Sequence, residues 1–279
     1  MTEKILCFYH ANCVDGAASA AVIRHKYPQA ECYGISHGES VPVSVKGAKL
    51  FIVDFSFDPN TLSQLKNEAK EIFWYDHHVT SLPTHEKLGW GIIDLKESGA
   101  SLSWKQEFPT EKMPTIIEYV RDKDLYEWKL PNSREISMDL ANHPDIHDPS
   151  GETWKQLLAP ISEKDWHDMI LRGKRALKNQ RLRVIQGSKN GFEVDFHGHK
   201  AFAVNWTLEA SDIGEYIYKE MGYSIAVLFY YNGEMWNFSL RSNQIDVSKL
   251  ALEHGGGGHP GAAGFRVASI DWLLNSKKQ

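Results

Sequence analysis

Cysteine is scarce in this 279-residue chain. Cys7, Cys13 and Cys32 are the only three, and no two of them form a CxxC pair. An odd count crowded into the first 32 residues argues against a disulfide framework or an all-sulfur zinc site and suits reduced thiols. Long apolar runs are missing too: no stretch approaches the roughly 18 apolar residues that a membrane helix requires. Only five apolar or aromatic residues lie between Met1-Thr2-Glu3-Lys4 and His10, too few for a signal-peptide core. A cytoplasmic location and no membrane partner are therefore expected. Excess positive charge is also absent. The formal net charge is −5, so long duplex nucleic acid is not an expected partner, and any polyanion must be held at a local basic site. There is no internal repeat and no low-complexity segment beyond one glycine run. The 42% apolar and 24% charged residues that remain describe an ordered globular protein, long enough for two domains.

Short apolar runs alternate with helical patterns through the first half. Ile5–Tyr9, Glu31–Ile35, Leu50–Val53 and Glu71–Tyr75 read as strands. Between them, Ala17–Tyr27 and the segment after Asp58 or Asn60 read as helices. That alternation predicts a mainly parallel, doubly wound sheet in an α/β domain over 1–133. Residues 134–190 predict a helical linker ending in one long helix, 164–190. One face of that helix carries Arg172, Lys174, Arg175, Lys178, Arg181, Arg183 and Lys189, either as a solvated face or as an attractor of phosphates. From Phe192 the texture turns to strands, with a hairpin signal at Asn232-Gly233. A smaller α+β domain with a mixed sheet is predicted over 191–279.

In open parallel sheets, ligands bind at the carboxyl ends of the strands. His10 and Asp15 follow the first predicted strand, Asp54 ends the third, and Asp76, His77 and His78 end the fourth. Asp122 and Asp124 stand in a charged segment further on. Strand geometry sends Asp76 and His78 one way and His77 the other. Carboxylates converging on one sheet edge repel one another unless cations neutralise them, and mixed carboxylate and imidazole donors suit Mn²⁺, Fe²⁺, Co²⁺ or Zn²⁺. His143 and His147 read as isolated surface histidines. A second constellation joins Arg241 to Gly255-Gly256-Gly257-Gly258-His259. The bare backbone of the glycines can approach a phosphate as an anion-binding nest, and Arg241 offers a bidentate fork.

These motifs resemble those of the DHH phosphoesterases that carry a DHH-associated C-terminal domain. Asp76-His77-His78 after an apolar strand is the motif that names the family, and Gly-Gly-Gly-Gly-His-Pro-Gly-Ala-Ala-Gly-Phe, 255–265, marks the associated domain. The resemblance implies a Mn²⁺-dependent enzyme with a two-metal site and a two-domain cleft. His10, Asp15, Asp54, His77 and Asp122 would be metal ligands, with Asp54 the bridge; of Asp122 and Asp124, the choice falls on Asp122. Asp76, His77 and His78 would form the catalytic triplet, with Asp76 and His78 standing behind the ligands or acting on the leaving oxygen. Arg241, Gly256, Gly257, Gly258 and His259 would grip the substrate. The implied reaction is hydrolysis of phosphodiester bonds in a short oligonucleotide, dinucleotide or small nucleotide by a metal-activated water. Alternatives are a phosphatase for bisphosphorylated nucleotides or pyrophosphate, and a catalytically impaired nucleotide-binding regulator. One departure bears on the metals. Many relatives place two aspartates, one residue apart, after the histidine; here Asp15 stands alone, with Asn12 and Cys13 between it and His10.

Overall fold

The computed structural model describes residues 3–208 and 210–277, and the chain divides into two compact units between Leu177 and Lys178. In the first unit β1 (Ile5–His10) leads into α1 (Val14–Lys26), then β2 (Glu31–Ile35), β3 (Lys49–Val53), α2 (Pro59–Glu68) and β4 (Glu71–Asp76). After α3 (Leu82–Leu88) comes a two-residue strand, β5 (Ile92–Ile93). The helices α4 (Gly99–Glu107), α5 (Thr115–Asp124), α6 (Ser133–Ala141), α7 (Glu152–Leu158) and α8 (Glu163–Ser188) follow. The strands form an all-parallel sheet in the order β2-β1-β3-β4-β5.

This sheet is apolar on both faces, which explains its continuous hydrophobic strands. Ile5, Cys7 and Tyr9 of β1 and Phe51 and Val53 of β3 pack with α1, α4 and α5. The alternate residues Leu6, Phe8, Leu50, Ile52 and Trp74 pack with Leu62 and Leu65 of α2 on the other side. Each fully buried large side chain contributes about 1.5–3 kcal/mol. Trp74, wholly buried, also donates its indole N–H to Phe55 O at 3.0 Å. Strand order reverses between β1 and β3, and at that switch point the ends of the strands leave room for a ligand.

Most of the segment expected as a linker packs with the first unit. Ile136, Leu140, Ile146, Trp154, Leu158 and Met169 share one core with α1 and β1. The helix expected over 164–190 is α8, and acids outside it pair with two of its basic residues. Arg172 grips Asp139 through two bonds, 2.7 and 2.8 Å, and Arg181 pairs with Glu220.

The second unit contains β6 (Phe192–Phe196), β7 (His199–Asn205), α9 (Ala210–Lys219), β8 (Ile225–Tyr231), β9 (Trp236–Arg241), α10 (Val247–Glu253), β10 (Gly257–His259), β11 (Ala262–Val267) and α11 (Asp271–Asn275). Its sheet is mixed, in the order β10-β11-β9-β8-β7-β6, with β7 and β8 the parallel pair. Asn232-Gly233 turns the β8–β9 hairpin as expected, Asn232 Oδ1 accepting from the N–H groups of Glu234 and Met235. The glycine run differs from the expected nest. Gly255, at φ +76°, and Gly256 donate their N–H groups to Leu252 O and Ala251 O, both at 2.9 Å, and so end α10. Gly257 to His259 then form an edge strand paired with β11. A Cβ on Gly256 would lie 2.1 Å from Gly264 O, so close packing is what demands glycine there.

Candidate metal centre

Four strand and helix ends meet around His77. Its Nε2 lies 3.1 Å from Asp54 Oδ1, 3.4 Å from Asp124 Oδ2 and 3.7 Å from Asp15 Oδ2. His10, at the end of β1, places Nδ1 3.7 Å from the other oxygen of Asp54, Oδ2. Asp54 follows β3 in the left-handed region, φ +54°, a conformation that aspartate tolerates better than most residues. It is 1% exposed, and Oδ2 is buried without a hydrogen-bond partner. Nearly all buried polar atoms are satisfied, so an orphaned carboxylate oxygen marks a place for something else.

Asp15 is held from a distant segment. Its Oδ2 and Oδ1 accept from Gly99 N (2.6 Å) and Ala100 N (3.0 Å), the first N–H groups of α4, which favour an anion. Ser98 caps that helix, with Ser101 answering it in a capping box. Gly99 allows the close approach: a Cβ there would stand 2.5 Å from Asp54 Cβ and 3.0 Å from Asp15 Oδ2.

Asp76 is wholly buried but fully engaged. Its Oδ1 accepts from His77 N (2.7 Å), His78 N (3.3 Å) and His78 Nδ1 (2.7 Å), and its Oδ2 from Ser81 Oγ (2.5 Å). Asp76 therefore shapes the corner and orients His78, while His77 turns to the opposite side, as strand alternation predicts.

The two aspartates of α5 separate. Asp122, the expected ligand, spends its carboxylate on Lys129 N (2.8 Å), Leu130 N (3.4 Å) and Ser133 Oγ (2.5 Å). Asp124 is the one that reaches His77. It falls seven residues after Ile117 and four after Val120, in helical register with them but only half-buried, whereas Asp122 is the buried aspartate of α5. The reading missed Ser98 and Gly99 as site-forming residues, since nothing local ties a helix start to an aspartate 84 positions away.

Electrostatics match the crowding. Burial, then Asp54 and Asp124, push Asp15 well above the usual aspartate range. Burial also raises Asp124, against the pull of His77. Asp54 goes the other way: burial raises it, but His10 and His77 outweigh that and take it down to about 2. For His77, burial favours the neutral ring, yet Asp54, Asp15 and Asp124 together raise it to about 9. Cys13, beside the cluster, is pushed up to about 12 by burial and then by Asp54 and Asp15. Asp54, Asp15 and Asp124 thus favour the protonated form of the His77 ring between them.

The donors fall into groups whose ligand atoms all lie within 4.8 Å of one another. One is His10, Cys13 and Asp54; another is Asp15, His77 and Asp124; a third is Asp54, Asp76, His77 and His78. The orphaned Asp54 oxygen and this oxygen-and-imidazole set fit divalent cations. No such group among the described residues includes Asp122, His143 or His147.

In the second unit, Arg241 and His259 stand at one end of the sheet, since both align with Ala262 across β11. The Arg241 stem packs on Gly214, where a Cβ would lie 2.6 Å from Arg241 Cγ. Its Nη1 donates to Leu240 O (2.9 Å), but its buried Nε has no partner.

Residues 200–276 match the DHHA1 domain. An uncharacterized protein of Acanthamoeba polyphaga mimivirus is 24% identical over 307 residues, covering 97% of this chain and 69% of that protein. Among solved structures, the chain is similar to the pGpG-specific phosphodiesterase PggH of Vibrio cholerae, with a TM-score of 0.61 and 15% identity over 96% of this chain and 95% of that one. It is also similar to an exopolyphosphatase-related protein of Bacteroides fragilis, with a TM-score of 0.56 and 14% identity over 98% and 90%. At these identities the structural likeness speaks for the fold. The second unit thus carries a DHHA1 domain, and in the first unit Asp76-His77-His78 closes β4.

Proposed function

We propose that this chain is a divalent-metal-dependent phosphoesterase acting on a short nucleotide, a dinucleotide or short oligonucleotide in particular. The observation that carries the reading is Asp54: its Oδ1 engages His77 while its buried Oδ2 faces His10 with no partner. One carboxylate so divided can serve two cations, with His10 on one side and Asp15, His77 and Asp124 on the other. Bound there, the cations would polarise a phosphoryl oxygen and make an attacking water more acidic, and Mn²⁺ is the first ion to test. The likeness in fold to a pGpG-specific phosphodiesterase supports the substrate class.

The chain's own groups have distinct tasks. Asp15, Asp54 and Asp124 supply negative charge that a cation must balance, and cation entry displaces the proton that His77 otherwise holds. Asp76 accepts from His78 Nδ1, which leaves Nε2 to face the substrate. That hydrogen bond raises the His78 pKa and favours the protonated ring, a suitable donor to the leaving oxygen. Arg241 offers an unpaired N–H to a terminal phosphate.

The test uses wild type and Asp54→Asn, each with a panel of divalent metals. Substrates are a linear dinucleotide, a nucleoside bisphosphate and pyrophosphate. Mn²⁺-dependent dinucleotide hydrolysis is expected in wild type, with a loss of about a hundred-fold or more in the variant. Undiminished hydrolysis by Asp54→Asn would sink the metal assignment. Preferential release of phosphate from the bisphosphate or pyrophosphate would replace the substrate class, and tight nucleotide binding without turnover under any metal would favour a regulator.

A further inference from the structure

The first-loop departure has a structural consequence. Cys13 occupies the position two residues before Asp15, where many relatives place an aspartate, and its Sγ lies within 4.8 Å of ligand atoms of both His10 and Asp54. The Asp54 oxygen that faces His10 is the one buried without a partner. Sulfur, imidazole nitrogen and a carboxylate oxygen therefore gather within 4.8 Å of one another, beside the carboxylate whose other need is unmet. Asp15, His77 and Asp124 form a separate trio with oxygen and nitrogen donors only. Cys13 also stands at the N-cap of α1, and burial with the neighbouring carboxylates keeps it a thiol until a cation takes the place of the proton.

We propose that Cys13 Sγ, as a thiolate, is a ligand of the cation held by His10 and Asp54, and that this position therefore favours a thiophilic borderline ion such as Zn²⁺, Co²⁺ or Fe²⁺ over Mn²⁺. The inference rests on the metal-dependent reading above and deepens it by distinguishing the two cation positions. Ligation exchanges the thiol proton, released to solvent, for a metal–sulfur bond, with no change of oxidation state. A thiolate is a softer donor than the carboxylate it replaces, and softness is what selects between Mn²⁺ and the later metals at fixed geometry. The other trio, lacking sulfur, keeps the preference of an oxygen-rich site.

Co²⁺ tests the bond directly and needs no turnover. Wild type loaded with Co²⁺ is expected to show a near-ultraviolet sulfur-to-cobalt charge-transfer band, and Cys13→Ser is expected to lack it. Serine is a favoured N-cap residue, so the variant keeps its helix start. Cys13→Asp is expected to bind Co²⁺ without the band and to lower the Zn²⁺-to-Mn²⁺ affinity ratio by about ten-fold. In wild type, Zn²⁺ is expected to slow alkylation of Cys13 at least ten-fold, as followed by peptide mass spectrometry. Cobalt binding, seen as thermal stabilisation, with no charge-transfer band and no protection of Cys13 would overturn this inference alone. Failure of Co²⁺, Zn²⁺ and Mn²⁺ to stabilise the protein at all would overturn it together with the metal-dependent reading.

Discussion

The sheet edge around His77 and the place where α5 meets residues 129–133 both bury aspartates, and the two regions solve the same problem in opposite ways. On α5, Asp122 is 2% exposed and receives two backbone N–H groups and a serine hydroxyl, which lower its pKa against the rise that burial causes. At the sheet edge, Asp54 is 1% exposed and one of its oxygens has no hydrogen-bond partner. A buried carboxylate with a complete set of donors is part of the scaffold. A buried carboxylate left incomplete among other carboxylates is chemically suited to a cationic ligand.

The sharpest way to break this comparison is to remove one aspartate from each region. Asp124→Ala is expected to lower phosphoesterase activity about a hundred-fold or more and to weaken Mn²⁺ binding, with the fold retained. Asp122→Ala is expected to cost about 2–4 kcal/mol of stability in urea unfolding, because Lys129 N, Leu130 N and Ser133 Oγ lose their acceptor. The sign with pH follows from the depressed pKa. The Asp122 contribution is fully present above the unfolded aspartate value of about 3.9 and is lost as pH falls through the lower folded value. Stability of Asp122→Ala should therefore fall less steeply than that of wild type on acidification below about pH 4. Equal losses of activity from the two variants would erase the distinction between the regions.

A smaller perturbation moves the site without removing a ligand. Gly99→Ala places a methyl 2.5 Å from Asp54 Cβ, so Asp54 and the α4 N-terminus must separate. Activity is expected to drop about ten- to a hundred-fold, with a matching loss of Mn²⁺-induced thermal stabilisation; wild-type values for both would show that the site adapts freely. The smallest effect is expected in the second unit. Arg241→Lys keeps the charge and loses the fork, so KM for a nucleotide should rise about ten-fold with Mn²⁺ affinity unaltered. An unchanged KM would remove Arg241 from substrate binding.

Much of the first unit was legible because parallel strands buried on both faces must be continuously apolar. Leu50–Val53 and Glu71–Tyr75 showed themselves that way. The strand exits then followed, and with them His10, Asp54 and His77. β5 was not legible: two residues, Ile92 and Ile93, carry no periodicity, and only pairing with β4 makes them a strand. The glycine run misled for a related reason. Its composition permits a phosphate nest, a helix terminator or tight packing equally, and the choice lies with Ala251 O, Leu252 O and Gly264 O, which are contributed by the fold.

The division between Asp122 and Asp124 marks the limit most clearly. By itself the sequence determined the doubly wound sheet, the edge at which acids and imidazoles gather, and the kind of ion that such donors hold, since each follows from periodicity and side-chain chemistry. Only the tertiary structure decided which aspartates are spent on backbone and hydroxyl donors and which gather around His77. A carboxylate's role depends on the donors that reach it, and for Asp15 those donors are N–H groups 84 and 85 residues away.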